Sequence, residues 1–313
     1  MRKTTQLLCE HFPNNLAPLI ESYIMEEGFP ADMATAGHWE LVSEFKDFEL
    51  DSALYGACRG DSIQLVRHVI SLGAKDYSFG LLGACCSNRE VNREAGELMF
   101  SLGAEAKTYE YSDAVARFSN SMHMVTWLAK HKELNDIDFE SILRGSAFTG
   151  NMSLVNFAIH NGANNWKMMF FDACRGGDHG MILLGLVNGG IPSLGLAAAC
   201  SGGQMHVIRW MMRLGAVNYD HGLINAAMEN HIDVVSYMIK IITQNGNTLD
   251  ATVLNNVFSI AFHNSHFTIA CILLTHGAKR CTHSHYCTHP WIDHITSLQS
   301  KDTLLAFNRA PHI

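Results

Sequence analysis

The chain has 313 residues, a formal net charge of −8 and no basic run, a balance that disfavours a general nucleic-acid binder. No apolar stretch reaches 18 residues, so no membrane-crossing helix is expected, and the opening MRKTTQLLCEHFP lacks the apolar core and cleavage site of a secretory signal. Nine cysteines, an odd count without such a signal, fit a reducing, intracellular compartment better than a disulfide framework.

Residues 1–29 precede the regular part of the sequence. EHFPNNLAPLIESYIMEE at 10–27 spaces Leu16, Leu19, Ile20 and Tyr23 along one helical face. One reading is a capping helix, because the open end of a repeat stack otherwise exposes apolar surface. The other is a degenerate F-box: the run from Pro13 to Ile24 is similar to the start of that motif, whose Leu/Ile helix docks on a ubiquitin-ligase adaptor. The repeat pattern resumes near Met33, which leaves no room for a complete F-box.

From 30 to 280 the sequence repeats itself, with a degenerate opening copy in AGHWELVSEF at 36–45 and eight clear copies after it. Ala57, Ala84, Ala116, Ser146, Ala173, Ala199, Ala226 and Ala261 share one column, at spacings of 27, 32, 30, 27, 26, 27 and 35 residues. A self-similar period of this size predicts a solenoid of two-helix units. Three residues before the anchor stands Leu54, Leu81, Leu143, Phe170, Leu196, Leu223 or Phe258, one helical face away. Asp113 breaks that column and marks a weak third repeat. Cys58, Cys85, Cys174 and Cys200 follow their anchors directly and read as buried core thiols.

A polar turn comes next, with Asp61, Asn151 and Asp178 expected as N-caps of a second helix whose first copy buries Leu65, Val66, Val69 and Ile70. His38, His231 and His266 recur in this turn and are expected to be turn and capping residues. Sixteen residues after the anchor stand Gly73, Gly162, Gly189, Gly215 and Gly277, with Gly103 displaced by three behind the insert at Glu90 to Ala95. Each fits a helix C′ position, which needs positive φ. Lys132 and Ile242 hold the glycine place in the remaining two copies.

These columns resemble the ankyrin repeat, most specifically in the second helix and the closing Gly-Ala of GACRGDSIQLVRHVISLGA at 56–74. The T-P-L-H opening is missing, and four of the seven spacings are 26 or 27 where about 33 is typical of the family. The anchor-to-glycine distance is kept, so the shortfall falls on the connection between repeats. The resemblance therefore implies an all-α, ankyrin-like helix–turn–helix solenoid with truncated β-hairpin fingers, carrying little or no actual hairpin. Tyr77, Tyr109, Trp166 and Tyr219 in the clipped connections are expected to pack between neighbouring repeats. Stretches such as AKDYSFGLLGAC and ANNWKMMFFDAC are similar to the short ankyrin repeats encoded by giant DNA viruses of amoebae, which implies an intracellular protein, in host cytoplasm.

The tail at 281–313 holds CTHSHYCTHPWIDHI. Cys281, His283, Cys287 and His289 form a soft ligand set for a structural zinc, although five residues between the cysteines exceed the usual finger spacing. The alternatives are a His-rich tail, or a cap that packs Trp291 and Ile295 on the last repeat. No phosphate loop, H-E-x-x-H or nucleophile elbow occurs, and Gly176-Gly177-Asp178 is repeat punctuation, so no catalysis is expected. The expected function is protein recognition on a concave surface, with a ubiquitin-ligase adaptor or a zinc-stabilised binding protein as alternatives. The contact line, two residues after each anchor, reads Arg59, Cys86, Phe118, Phe148, Arg175, Ser201, Met228 and His263; Arg59, Phe118, Phe148, Arg175, Met228 and His263 are the candidate partner-binding residues.

Overall fold

The computed structural model describes residues 31, 34, 47–60, 62–87, 89–105, 108–131, 138–244 and 250–279. The expected N-terminal helix at 1–29, the opening copy at 36–45, Asp61, Lys132 and the whole Cys/His tail lie outside the described residues. The chain divides into two compact units, one through Asn164 and one from Asn165, at the boundary between the fourth and fifth repeats.

In the first unit the helices are α1 (Asp47–Arg59), α2 (Ile63–Leu72), α3 (Tyr77–Cys85), α4 (Glu90–Ser101), α5 (Thr108–Ala114), α6 (Met122–His131), α7 (Phe139–Thr149) and α8 (Met152–His160). The second unit has α9 (Trp166–Gly176), α10 (His179–Val187), α11 (Pro192–Ser201), α12 (Met205–Arg213), α13 (Tyr219–Met228), α14 (Ile232–Gln244), α15 (Ala251–His263) and α16 (Phe267–Thr275). Among the described residues there is no strand. The described connections between repeats are short loops without β-hairpin fingers. In each unit a repeat's two helices pack together, and each first helix packs on the first helix of the next repeat, in chain order. No helix among the described residues is long and apolar enough to cross a membrane.

Steric size explains the first-helix layer. All eight anchors are buried, as are the seven apolar residues three positions earlier and the four cysteines one position later. The residue just before the anchor sets how closely first helices approach. A Cβ on Gly83 would collide with the Tyr55 carbonyl, and one on Gly145 would meet Ala116 Cβ at 2.8 Å. Where that position is polar it is bonded: Asn225 Nδ2 donates to the Ala197 carbonyl at 3.1 Å.

Two left-handed positions recur among the described residues of the repeats. The first follows α7, α9 and α11 as Gly150, Gly177 and Gly203, and other repeats place Asn120, Asn230 and Ser265 there with φ of 48°, 61° and 60°. The second is the closing glycine: Gly73, Gly103, Gly162, Gly189, Gly215 and Gly277 all have positive φ. The next residue closes a Schellman turn, as where Ala163 N donates to Ala158 O and Ala216 N to Met211 O. In α4 the insert lengthens the helix to 12 residues, and Gly103 still ends it. In α14 the helix runs through Ile242, buried at 5 % exposure, so no glycine stops it there.

The N-caps of the second helices fall five residues after the anchor. Ser62, Asn151 and Asp178 accept from Leu65, Leu154 and Met181 amides, so the first cap is Ser62 where the sequence pointed to Asp61. The same column ties successive repeats together. Asn151 Nδ2 donates to Asn120 O, and Gln204 Nε2 to Gly176 O. His231 Nε2 bonds Ser201 O at 2.9 Å and His266 Nδ1 bonds Ala227 O at 2.8 Å; His266 stands at the N-cap position but makes no side-chain cap bond, so its ring ties repeats together where capping was expected. Ile70 is half-buried while Leu65, Val66 and Val69 are buried. Tyr77, Trp166 and Tyr219 are half-buried at the first residue of α3, α9 and α13.

Candidate partner-binding surface

The third repeat carries one residue too many for its first helix. The structure absorbs it in a π-helical turn, Val115–Ser119, closed by Asn120 N donating to Val115 O at 3.0 Å. Single π turns of this kind are frequent at functional sites. Upstream of the turn the buried pattern slides by one. Tyr111, Ser112 and Ala114 are buried, and Asp113 takes a half-buried place. That place belongs to the column two before the anchor, which reads Tyr55, Leu82, Arg144, Phe171, Ala197, Ile224 and Ser259 in the other repeats, all half-buried. Asp113 is therefore a surface member of the first-helix face and no flaw in the core column.

This face in the first unit forms a cleft of about 340 Å³ lined by Tyr55, Leu82, Cys86, Asp113, Ala114, Arg117, Phe118, Ser141 and Arg144. Tyr55 stacks on Phe79 with ring centroids 4.7 Å apart, and its hydroxyl meets Cys86 Sγ at 3.5 Å. Burial, and then the Cys86 thiol beside it, push the Tyr55 hydroxyl up to about 12, against a smaller downward pull from Arg59. Burial likewise pushes the Cys86 thiol up, partly offset by the Tyr55 hydroxyl and Arg59. Both groups thus stay protonated at neutral pH.

Arg117 donates from Nε and Nη2 to the Asp113 carboxylate at 3.1–3.3 Å. Its guanidinium also lies over the Phe148 ring, 4.6 Å from the centroid. A cation held over an aromatic face and by a carboxylate is fixed in orientation as well as position. Beside it Phe118 stands 59 % exposed, a large apolar cost in water for a residue next to a pre-ordered charge.

The sequence-derived contact line is thus placed unevenly. In the first unit Arg59 and Phe118 are exposed, Phe148 is half-buried under Arg117, and Cys86 is buried. Arg117 joins Phe148 to the cleft that Phe118 lines, and Arg59 reaches the same cleft through Tyr55 and Cys86. In the second unit Arg175 pairs with Glu229 at 3.1 Å across an intervening repeat, Met228 is 48 % exposed beside that carboxylate, and His263 is exposed, edge-on to Phe262. Ser201 is half-buried.

Tyr55 and Arg117 were missing from the sequence reading, and Asp113 entered it only as the mark of a weak third repeat. The available signal was Asp113 itself, a carboxylate where the repeat asked for an apolar residue. On the second helices the structure adds two clusters without an obvious sequence signature. Trp127 Nε1 and His131 Nε2 both meet Glu97 Oε1 at 2.8 Å. In the second unit His179 stacks on His206 and on Trp210. Among the described residues no group of three or more His, Cys, Asp or Glu side chains is arranged to hold a metal. Cys281, His283, Cys287 and His289 lie outside them. No family model matches the chain, and no curated protein is significantly similar to it.

Proposed function

We propose that this chain is a non-enzymatic, ankyrin-like scaffold that recognises a protein partner on the face built by its first helices. The observation that carries this reading is Phe118, exposed beside a guanidinium that is already immobilised between Asp113 and Phe148. Binding hot spots favour aromatic and Arg residues whose ordering entropy is already spent. Met228 next to the Arg175–Glu229 pair repeats the combination of an exposed apolar side chain and a held cation in the second unit.

An intracellular setting and a host-directed role rest on the resemblance to amoebal-virus repeats. The adaptor and zinc readings rest on the sequence of 1–29 and of 281–313.

The test is quantitative affinity capture from amoeba lysate with the wild-type chain and with Phe118→Ala and Met228→Ala, each checked for native helicity. A prey recovered by the wild type and depleted at least tenfold by either variant is the expected result. Identical prey profiles for all three baits contradict the proposal.

A further inference from the structure

The chain is acidic overall at −8, yet Arg117 and Arg144 line the first-helix cleft of the first unit, and Arg59 stands close enough to act on Tyr55 and Cys86. Among the described residues Asp113 is the single carboxylate in the lining. Local charge therefore opposes the sign of the whole, which favours an anionic visitor at this place.

The geometry is specific to carboxylate. Asp113 already shows that a carboxylate fits the Nε–Nη2 edge of Arg117. The Tyr55 hydroxyl meets the Cys86 thiol at 3.5 Å, a weak acceptor that an oxygen anion outcompetes, and lies under the influence of Arg59. Phe118 supplies an exposed aromatic wall next to these donors. The volume, about 340 Å³, suits a few side chains of an extended segment.

We infer that the cleft between α1, α3, α5 and α7 receives an acidic peptide segment of the partner, its carboxylate directed to Arg59, Arg117 and the Tyr55 hydroxyl and an adjacent apolar side chain packed on Phe118. This rests on the recognition reading above and names the chemistry of the partner. Asp113 acts as an internal competitor, because it occupies the guanidinium edge that an incoming carboxylate requires.

The experiment selects a random peptide display library on the full chain and measures one selected, synthesised peptide by fluorescence polarisation. The selected sequences are expected to pair Asp or Glu with a neighbouring apolar residue. Arg59→Ala should weaken binding about tenfold, the scale of one lost hydrogen bond to a charged group. Added salt should weaken it too. Asp113→Asn should tighten it, an effect that a damaged fold does not mimic. Neutral or basic peptides that need Phe118 but ignore Arg59 and Asp113 overturn the acidic assignment and leave the recognition surface standing. Failure to select any peptide sensitive to Phe118→Ala overturns the cleft as a recognition site altogether.

Discussion

The unit through Asn164 and the unit from Asn165 each hold four repeats, but they resolve their misfits differently. In the second unit the misfit is a side chain. Phe170 occupies a place that Leu holds in five other repeats, and three glycines make room for it. A Cβ on Gly185, Gly190 or Gly195 would meet its ring or Cβ at 2.7–2.8 Å. This also explains why the fifth repeat closes with Gly189-Gly190 where others close with Gly-Ala. In the first unit the misfit is backbone: an extra residue in the first helix, taken up by the π turn at Val115–Ser119. A side-chain misfit is absorbed inside the core and leaves the surface unchanged. A backbone misfit rotates the residues upstream of it, and here it moves a carboxylate onto the cleft.

The comparison breaks most easily at Phe170. Phe170→Ala should cost about 4 kcal/mol, because glycines on three sides have no side chains to move into the void. Hydrogen exchange should show the loss of protection in α9 to α12; a uniform loss across both units would deny that the three glycines form a local cage. In the first unit the matching test is Gly83→Ala. Its methyl must push α3 away from the Tyr55 carbonyl, and the expected cost is about 3 kcal/mol by urea denaturation. A cost near zero would mean that the first helices separate freely, and with them the walls of the cleft.

Smaller effects sharpen the contrast. Ser265→Gly should stabilise the second unit by about 0.5 kcal/mol, since it relieves a serine held at φ 60° at some entropic cost in the unfolded chain. A lower melting temperature would show that the serine side chain compensates its strain. Glu97→Gln should change the pH dependence of stability in the first unit. Burial pushes the Glu97 carboxyl up, but the Trp127 and His131 bonds outweigh it and hold the carboxyl below 4.5. A carboxyl that is more acidic in the folded state adds stability above its unfolded value and loses it as pH falls through the folded one. The variant should therefore be less stable than the wild type above about pH 4.5 and converge with it in acid, with a flatter acid limb, read from denaturation midpoints at stepped pH. An unchanged acid limb would remove this cluster from the account.

Much of the repeat unit was legible in the chain itself. Small anchors, the apolar residue three before them, N-cap acceptors and closing glycines are local demands of sterics and φ, and they recur at similar offsets through the eight copies, the anchor in all and the others in some. What the tertiary structure decided depends on partners roughly thirty positions away. Periodicity made Asp113 an exception in the apolar column, because counting residues presumes an unbroken α-helix; the π turn shows that one residue was surplus and gives the carboxylate to Arg117. The same distance hides the Glu97–Trp127–His131 cluster, the burial of Cys86 against Tyr55 and the cage around Phe170. A sequence column records what every repeat must satisfy. The contacts peculiar to one pair of repeats arise only when neighbouring helices meet, and here those contacts make the cleft.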